Sequence, residues 1–135
     1  MKRKAVICDI DGVILTCTYY ADMEEFYQNI LECYPIDPMV SVIKGLHQDG
    51  YEIIFLTARN VKCRGVTTYQ LQKCFDFPIK LYMRGRDDIR EDWIMKQECV
   101  QMLSNEYEFV LALDDNPRNC QMFIDNKIPT IQVVK

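Results

Sequence analysis

The sequence is poor in histidine, glycine and proline, and each shortage excludes a class of protein. His47 is the only histidine, which excludes histidine-based catalytic triads and histidine-rich metal sites. The five glycines and five prolines are scattered over 135 residues, without low-complexity stretches or repeats. We therefore expect a single ordered domain over residues 1–135, a length that suffices for one hydrophobic core.

Long hydrophobic runs are also absent. After the basic residues at the N-terminus, only Ala5 to Cys8 are apolar before Asp9 interrupts the run. This run is too short for the core of a signal peptide, and no other segment is long and apolar enough to cross a membrane. We expect a cytoplasmic protein that has no membrane partner.

The cysteines are numerous but lack the spacing of a disulfide framework or a zinc site. Their number is odd and no C-x-x-C pair occurs, while several lie at positions of apolar periodicity. We expect buried, reduced thiols. The seven residues are Cys8, Cys17, Cys33, Cys63, Cys74, Cys99 and Cys120.

Charge is distributed unevenly along the chain, although its net value is only −4. Residues 9–52 carry nine acids and one base, whereas residues 57–90 carry eight bases and three acids. A basic stretch of this kind can bind phosphate groups, while ordinary clustering on a solvated surface explains it equally well. On the first interpretation, Arg84 and Arg86 are candidates to contact the phosphate of a substrate.

Segments of strand and helix character alternate along the chain and predict an α/β fold. Such alternation favours right-handed crossovers and a doubly wound parallel sheet with helices on both faces. The intervals between elements leave no room for a large cap domain, and residues 16–20 are expected to form a small flap. Strands are predicted at 4–8, 51–56, 79–83, 109–113 and 130–134, and helices at 22–33, 37–50, 66–74, 89–104 and 118–126.

Two carboxylates flank one residue where the first predicted strand ends. Because strand residues alternate between faces, Asp9 and Asp11 can point to the same side, and Gly12 allows the chain to turn. Two negative charges at this distance are unfavourable unless a divalent cation or a proton lies between them. The pair therefore favours a cation site, although Asp-x-Asp-Gly also occurs in ordinary turns after strands.

Polar residues follow two further predicted strands. Thr57 comes after the second strand, and Asp114 and Asp115 come after the fourth. In a doubly wound sheet these strand ends converge on the crevice where ligands bind. Taken alone, Thr57 is an ordinary strand residue, and the two acids can cap the helix that begins at Pro117. Their joint occurrence at three strand ends favours an active site.

The polar residues also match known motifs in order. Asp9-Ile10-Asp11-Gly12-Val13, Thr57-Ala58-Arg59, Lys96 and Asp114-Asp115 resemble the four motifs of the haloacid dehalogenase superfamily. The resemblance implies that Asp9 is the nucleophile, which forms an aspartyl-phosphate, and that Asp11 is the general acid and base. It further implies that Thr57 and Lys96 bind the transferred phosphoryl group. Taken alone, Lys96 is expected to be a solvated lysine on the surface of a helix.

The same resemblance implies a magnesium cofactor. Asp9, the main-chain carbonyl of Asp11 and Asp114 are expected to hold Mg²⁺, because this ion prefers oxygen ligands. Asp115 is expected to support the metal site. The ion would neutralise charge on the phosphoryl oxygens.

Within the superfamily, the chain is most similar to the phosphatase domain of phage-type polynucleotide kinase-phosphatase. This likeness implies that Arg59 binds phosphate through its guanidinium group and that Asp92 orients Lys96 by an ion pair. Val13 departs from the family, in which threonine is common at this position. The chain has no G-x-x-x-x-G-K-[ST] motif, so 5′-kinase activity is not expected. The segments that carry the likeness are 4–12, 37–40, 90–92 with Lys96, and 111–115.

These observations predict a phosphatase that acts on nucleic-acid 3′ ends. A site without a cap can accept the end of a polymer, and the basic stretch is expected beside it. A nucleotidase or another small-molecule phosphomonoesterase is a first alternative, favoured by the acidic net charge and the small size. A second alternative is a non-catalytic binding module, which would be expected to lack part of the motif set.

Overall fold

The computed structural model describes residues 1–17 and 20–135, and a parallel sheet forms its centre. Five of the strands make this sheet in the order β5-β4-β1-β6-β7, whereas β2 and β3 pair antiparallel as a separate ribbon. This arrangement confirms the predicted α/β fold. In chain order the strands are β1 (Arg3–Cys8), β2 (Leu15–Thr16), β3 (Tyr34–Pro35), β4 (Glu52–Asn60), β5 (Lys80–Arg84), β6 (Tyr107–Asp114) and β7 (Thr130–Gln132).

The helices connect the strands and cover the sheet. Two single 3-10 turns accompany them, at Ile30–Glu32 and Val61–Cys63. Within residues 1–17 and 20–135, none of the helices has the length and apolar character needed to cross a bilayer. The helices are α1 (Met23–Gln28), α2 (Asp37–Gln48), α3 (Arg64–Cys74), α4 (Asp92–Leu103) and α5 (Pro117–Asp125).

Two helix boundaries differ from the prediction for local reasons. The helix predicted at 22–33 ends at Gln28, because the Asn29 side-chain amide donates to the Glu25 carbonyl and ends the regular pattern; a 3-10 turn follows. Helix α4 begins at Asp92 instead of residue 89, since the preceding loop is tied down by the Arg84 side chain. The predicted flap includes residues 18 and 19, which lie outside the described residues.

Alternate residues of the central strand pack into cores on opposite faces of the sheet. Val6 and Cys8 of β1 belong to a core that includes buried side chains of α2 and α3. Ile7 packs instead with side chains of α4 and α5. All three side chains are buried, as expected for a parallel sheet that is covered on both sides. Burial on both faces fixes the register of β1, because a shift of one residue would exchange its two faces.

The disulfide between Cys17 and Cys33 corrects the prediction that all seven cysteines are reduced. Cys17 follows β2 and Cys33 precedes β3, so the antiparallel pairing of these strands brings the two sulfur atoms together. The sequence separation of 16 residues concealed this pairing. The other five cysteines are free, and Cys8, Cys74 and Cys120 are buried as predicted.

Gly12 is required by two features of the turn after β1. Its φ angle is +85°, a value that residues with a Cβ atom rarely adopt, and a Cβ atom at this position would lie 2.0 Å from Oδ2 of Asp115. The absence of a side chain therefore lets the turn approach the end of β6. This contact brings the two acid-bearing strand ends together.

We expect Gly12→Ala to lower the free energy of unfolding by about 2 kcal/mol or more, because backbone strain and the clash with Asp115 add together. Gly50→Ala is the matched control, since Gly50 has a φ of +97° but open space around its Cα atom. Chemical denaturation of both variants separates the two effects. Equal losses in the two variants would contradict a close approach between Gly12 and Asp115.

Candidate active site

A cavity of about 810 Å³ opens at the carboxyl ends of β1, β4 and β6. It brings together residues that the sequence places far apart, and its volume exceeds what a phosphate group alone would occupy. The cavity is thus wide enough for a substrate that extends beyond its phosphate. Among its lining residues are Asp9, Asp11, Thr57, Arg59 and Lys96.

Lys96 is a buried cation that joins two of the acidic strand ends. Its Nζ atom lies 3.2 Å from Oδ1 of Asp9 and 2.8 Å from Oδ2 of Asp114, and the residue is 1% exposed. Burial acts to lower the pKa of Lys96, but the two carboxylates outweigh it and raise that pKa above its usual value. Lys96 is therefore a protonated ammonium group in the cavity wall, where it can neutralise an anion.

The predicted ion pair between Asp92 and Lys96 is wrong. Asp92 instead forms an ion pair with Arg84, because Asp92 lies at the start of α4 and faces the preceding loop. The Arg84 guanidinium also donates to the carbonyls of Ala58 and Arg90, at 3.1 and 2.6 Å. Arg84 therefore holds the loop against β4, and it also lines the cavity, so its contact with a substrate phosphate stays a prediction.

The basic stretch at 57–90 does not form one surface beside the cavity. Lys80 lies at the opposite end of the sheet, where it pairs with Glu52 at 3.0 Å. Arg86 is exposed, and within the described part of the chain it is not among the residues that line the cavity. Arg59, Arg84 and Arg90 of this stretch line the cavity together with Lys96, and of these four cations Arg59 and Lys96 are buried.

Arg59 holds Asp11 in this structure, whereas its role as a phosphate ligand, expected from the sequence, stays a prediction. Its Nε and Nη2 atoms donate to the two carboxylate oxygens of Asp11 at 2.9 and 2.8 Å. Nη1 donates to Thr67 and Gln70, and the second Nη2 hydrogen faces the Cys33 sulfur atom at 3.9 Å. These contacts use all five N–H donors of a guanidinium group. The Arg59 side chain is 1% exposed, whereas that of Asp11 is 33% exposed.

An irregularity in β4 places Thr57 and Arg59 at the site. The pairing of β4 with β5 shifts register between Thr57 and Asn60. The strand itself extends to Asn60, whereas its predicted end is residue 56. The Thr57 Oγ1 atom accepts a hydrogen bond from the Arg59 main-chain N–H at 3.1 Å. Thr57 therefore keeps its own hydroxyl hydrogen for an acceptor in the cavity.

Asp114 is fixed by a network of donors at the end of β6. Besides Lys96, it accepts hydrogen bonds from the Asn116 N–H at 3.0 Å and from Nδ2 of Asn119 at 3.3 Å. Asn116 also caps α5 through its side chain, so the start of this helix and the carboxylate are positioned together.

Three carboxylates of the site lie close enough to hold one metal ion. Oxygen atoms of Asp9, Asp114 and Asp115 lie within 4.8 Å of one another. Burial raises the pKa of Asp9 well above its usual range; Lys96 opposes this shift, and the neighbouring carboxylates add to it. Burial and the Asp114 charge likewise raise the pKa of Asp115. A divalent cation would relieve this concentration of negative charge.

The donor atoms at this cluster fit magnesium. They are oxygens, which Mg²⁺ prefers over nitrogen and sulfur. Oδ1 of Asn119 is a further oxygen that is buried and has no hydrogen-bond partner among the described residues, and Asn119 lines the cavity. Asp115, predicted only as a support, has its carboxylate in the cluster, whereas the Asp11 carboxylate is held by Arg59.

Thr67, Gln70 and Asn119 contact predicted site residues but were not predicted from the sequence. Thr67 and Gln70 are spaced three residues apart on α3, a spacing that places both on one face. Both are buried, although they are polar. The sequence gives no sign that their partner is Arg59, since this contact depends on the packing of α3 against β4. Asn119 lies in the first turn of α5, whose start is marked in the sequence by Asn116 and Pro117. This helix start is the sequence signal that could have identified Asn119.

Comparisons with known proteins agree with this geometry. The family described as "Polynucleotide kinase PNKP phosphatase domain" matches residues 3–135. A "Putative bifunctional polynucleotide kinase/RNA ligase" of Autographa californica nuclear polyhedrosis virus is 28% identical over 131 residues, which are 95% of this chain and 19% of that protein. The chain thus spans about a fifth of the length of this curated relative.

Solved structures show the same fold. In the "Structure of Pnkp1/Rnl/Hen1 complex", one chain is 30% identical and superposes with a TM-score of 0.85, covering 98% of this chain and 46% of that one. A class C acid phosphatase from Bacillus anthracis shares 17% identity with a TM-score of 0.65 over 93% of this chain and 62% of that chain; this similarity concerns the fold alone. The match over residues 3–135 shows that the chain belongs to the polynucleotide kinase PNKP phosphatase domain family and is a phosphomonoesterase of the haloacid dehalogenase type.

Proposed function

We propose that this chain is a magnesium-dependent phosphatase that works through an aspartyl-phosphate on Asp9 and removes phosphate from nucleic-acid 3′ ends. The observation that carries the proposal is the shared cavity of Asp9, Asp11, Thr57 and Lys96. A nucleophile, a proton carrier and two groups that bind phosphoryl oxygens face the same space. Phosphoryl transfer needs little else beyond positioning and charge neutralisation.

In the first step, a carboxylate oxygen of Asp9 attacks phosphorus, and the bond from phosphorus to the leaving oxygen breaks. Asp11 gives its proton to that oxygen, so the polynucleotide leaves as an alcohol. In the second step, Asp11 takes a proton from water, and the water oxygen attacks phosphorus. The bond between Asp9 and phosphorus breaks, which releases inorganic phosphate and restores both carboxyl groups.

Lys96 and Thr57 act on the phosphoryl oxygens. The buried Lys96 ammonium touches Asp9, so it lies where charge develops during attack, and in a buried site this interaction is strong. The Thr57 hydroxyl can donate to a phosphoryl oxygen. When bound by Asp9, Asp114 and Asp115 together with the main-chain carbonyl of Asp11, Mg²⁺ supplies further neutralisation of this charge.

Arg59 serves the reaction indirectly, because its guanidinium fixes the plane of the Asp11 carboxylate. Two hydrogen bonds hold that carboxylate while a third of its side chain stays exposed to the cavity. Asp11 is thereby ordered and remains accessible to the leaving group and to water. A proton carrier that is positioned in this way does not have to be ordered at each turnover.

The polynucleotide substrate is supported by the size of the cavity and by the relatives. The cavity has room beyond the phosphate, and the relatives' printed names refer to a polynucleotide kinase, an RNA ligase and an RNA repair complex. An oligonucleotide with a 3′-phosphate is therefore the proposed substrate class.

We expect kcat/KM for a 3′-phosphorylated oligonucleotide to exceed that for a nucleoside monophosphate by at least about tenfold, since contacts beyond the phosphate add binding energy. Phosphate release in the presence of Mg²⁺ is measured with both substrates and with a 5′-phosphorylated oligonucleotide. A preference for the free nucleotide would identify a nucleotidase and refute the assignment to 3′ ends.

We expect Asp9→Asn to reduce kcat by about a thousandfold or more, because an amide cannot replace the carboxylate nucleophile. Acid quenching with a radiolabelled substrate is expected to trap label on the wild-type protein and none on the variant. Asp87→Asn is the matched control, since Asp87 is exposed and outside the cavity lining. Label on the Asp9→Asn protein would show that another residue is the nucleophile.

We expect Arg59→Lys to lower kcat by about a hundredfold, because an ammonium group cannot form both hydrogen bonds to Asp11. The loss is expected to be smaller with p-nitrophenyl phosphate, whose leaving group needs no proton. Inhibition by inorganic phosphate is expected to stay unchanged, with Arg86→Lys as control. Weaker phosphate inhibition with unchanged kcat would restore Arg59 as a phosphate ligand.

A further inference from the structure

We propose that the Cys17–Cys33 disulfide is a redox-sensitive positioning element, which holds one wall of the active-site cavity in place for the polynucleotide. This wall is formed by the described residues 20–33, here called the cover segment. The expected effect of reduction on KM rests on the proposed function. The structural part of the inference, the attachment of the cover segment, is independent of any activity.

The disulfide closes the base of the cover segment. Cys17 and Cys33 are the residues next to the paired strands β2 and β3, so the covalent bond lies beside their hydrogen bonds. Each of these strands has only two residues. A ribbon this short is marginal without support, and the covalent bond supplies that support.

The cover segment contributes directly to the cavity wall. Tyr20, Met23, Phe26 and Tyr27 all line the cavity, and Tyr20 packs against Phe26 with ring centroids 5.0 Å apart. These groups are apolar or aromatic, unlike the charged residues deeper in the site. They are suited to contacting a part of the substrate that lies beyond its phosphate.

The disulfide also lies against the Asp11–Arg59 pair. The Cys17 sulfur atom is 3.8 Å from Oδ1 of Asp11, and the Cys33 sulfur atom is 3.9 Å from Nη2 of Arg59. The Phe26 ring covers the Arg59 guanidinium at 5.4 Å. The disulfide therefore lies beside the active site.

Among the described residues, two hydrogen bonds attach the cover segment to β4 and α3. The Asn60 N–H donates to the Tyr27 hydroxyl oxygen at 2.9 Å, and Nε2 of Gln70 donates to the Ile30 carbonyl at 2.8 Å. Both partners sit on the β4–α3 side of the cavity. These bonds and the buried Phe26 and Ile30 side chains keep the segment near the site when the disulfide is reduced, but with more freedom.

The chemical step is reduction by a dithiol. Two electrons and two protons pass to Cys17 and Cys33, their S–S bond breaks, and the dithiol becomes a cyclic disulfide. Asp11 stays ordered through Arg59, so the chemical step is largely preserved. Substrate binding is weakened, because the wall must now be ordered each time an oligonucleotide binds.

The first test counts thiols and measures the freedom of the cover segment without any substrate. Under denaturing conditions, five thiols are expected before treatment with dithiothreitol and seven after it, as the sequence and the single disulfide require. In the native protein, reduction is expected to speed chymotrypsin cleavage at Tyr20, Phe26 or Tyr27. Seven thiols in the protein isolated under air, or unchanged cleavage, would overturn the proposal.

The second test measures kinetics on the oxidised, reduced and reoxidised protein. Reduction is expected to raise KM for a 3′-phosphorylated oligonucleotide about fivefold, corresponding to about 1 kcal/mol, while kcat and inhibition by inorganic phosphate change less than about twofold. Reoxidation is expected to restore KM. If the protein proves inactive on this substrate, the thiol count and the cleavage rates still decide the structural part.

Variants separate the covalent link from an effect of the reductant. Cys17→Ser, Cys33→Ser and the double variant are expected to have the same raised KM and to be insensitive to dithiothreitol, since each lacks the link. Cys99→Ser is the control, because Cys99 is a free cysteine that packs against the core on the α4 side. An additive loss in the double variant, or a normal KM in all three, would contradict the proposal.

Discussion

The buried ammonium group of Lys96 is the interaction on which the rest of the site depends. It lies between Asp9 at the end of β1 and Asp114 at the end of β6, and it is the cation that offsets two buried carboxylates. Without it, burial and the neighbouring carboxylates would raise the pKa of Asp9 still further. Asp115 extends the cluster, so the ammonium group alone does not balance the charge. On the proposed function, a divalent cation offsets the remaining negative charge, and an anionic substrate is attracted to both cations.

A second polar system, built on Arg59, surrounds the second of the two acids that follow β1. Asp9 lies beside Lys96 and within the carboxylate cluster, whereas Asp11 is held by a guanidinium whose remaining donors contact Thr67, Gln70 and the Cys33 sulfur. Two carboxylates separated by one residue therefore have different surroundings. On the proposed function, this difference lets Asp9 serve as the nucleophile while Asp11 carries protons.

The elements and the acidic motifs could be predicted from the sequence, because they depend on local periodicity and on rules for strand ends. The five strands of the sheet and the convergence of Asp9, Thr57 and Asp114 belong to this class. The contact between Arg59 and Asp11 was not predicted and the partner of Asp92 was predicted wrongly, since these contacts depend on the irregularity in β4 and on the loop that Arg84 holds. The Cys17–Cys33 bond escaped prediction for a similar reason: a ribbon of two-residue strands leaves hardly any trace in the sequence.

The strand order has a consequence for how activity appears during folding. Asp9 directly follows the central strand β1, whose neighbours β4 and β6 bring Thr57 and Asp114 to the same edge of the sheet. Each neighbour is reached only through a long crossover, and contacts between residues so distant in sequence are expected to form late. A partly folded chain that lacks either crossover has no assembled site. Recovery of phosphatase activity during refolding would therefore report completion of the central sheet, while helix formation seen by circular dichroism would come earlier.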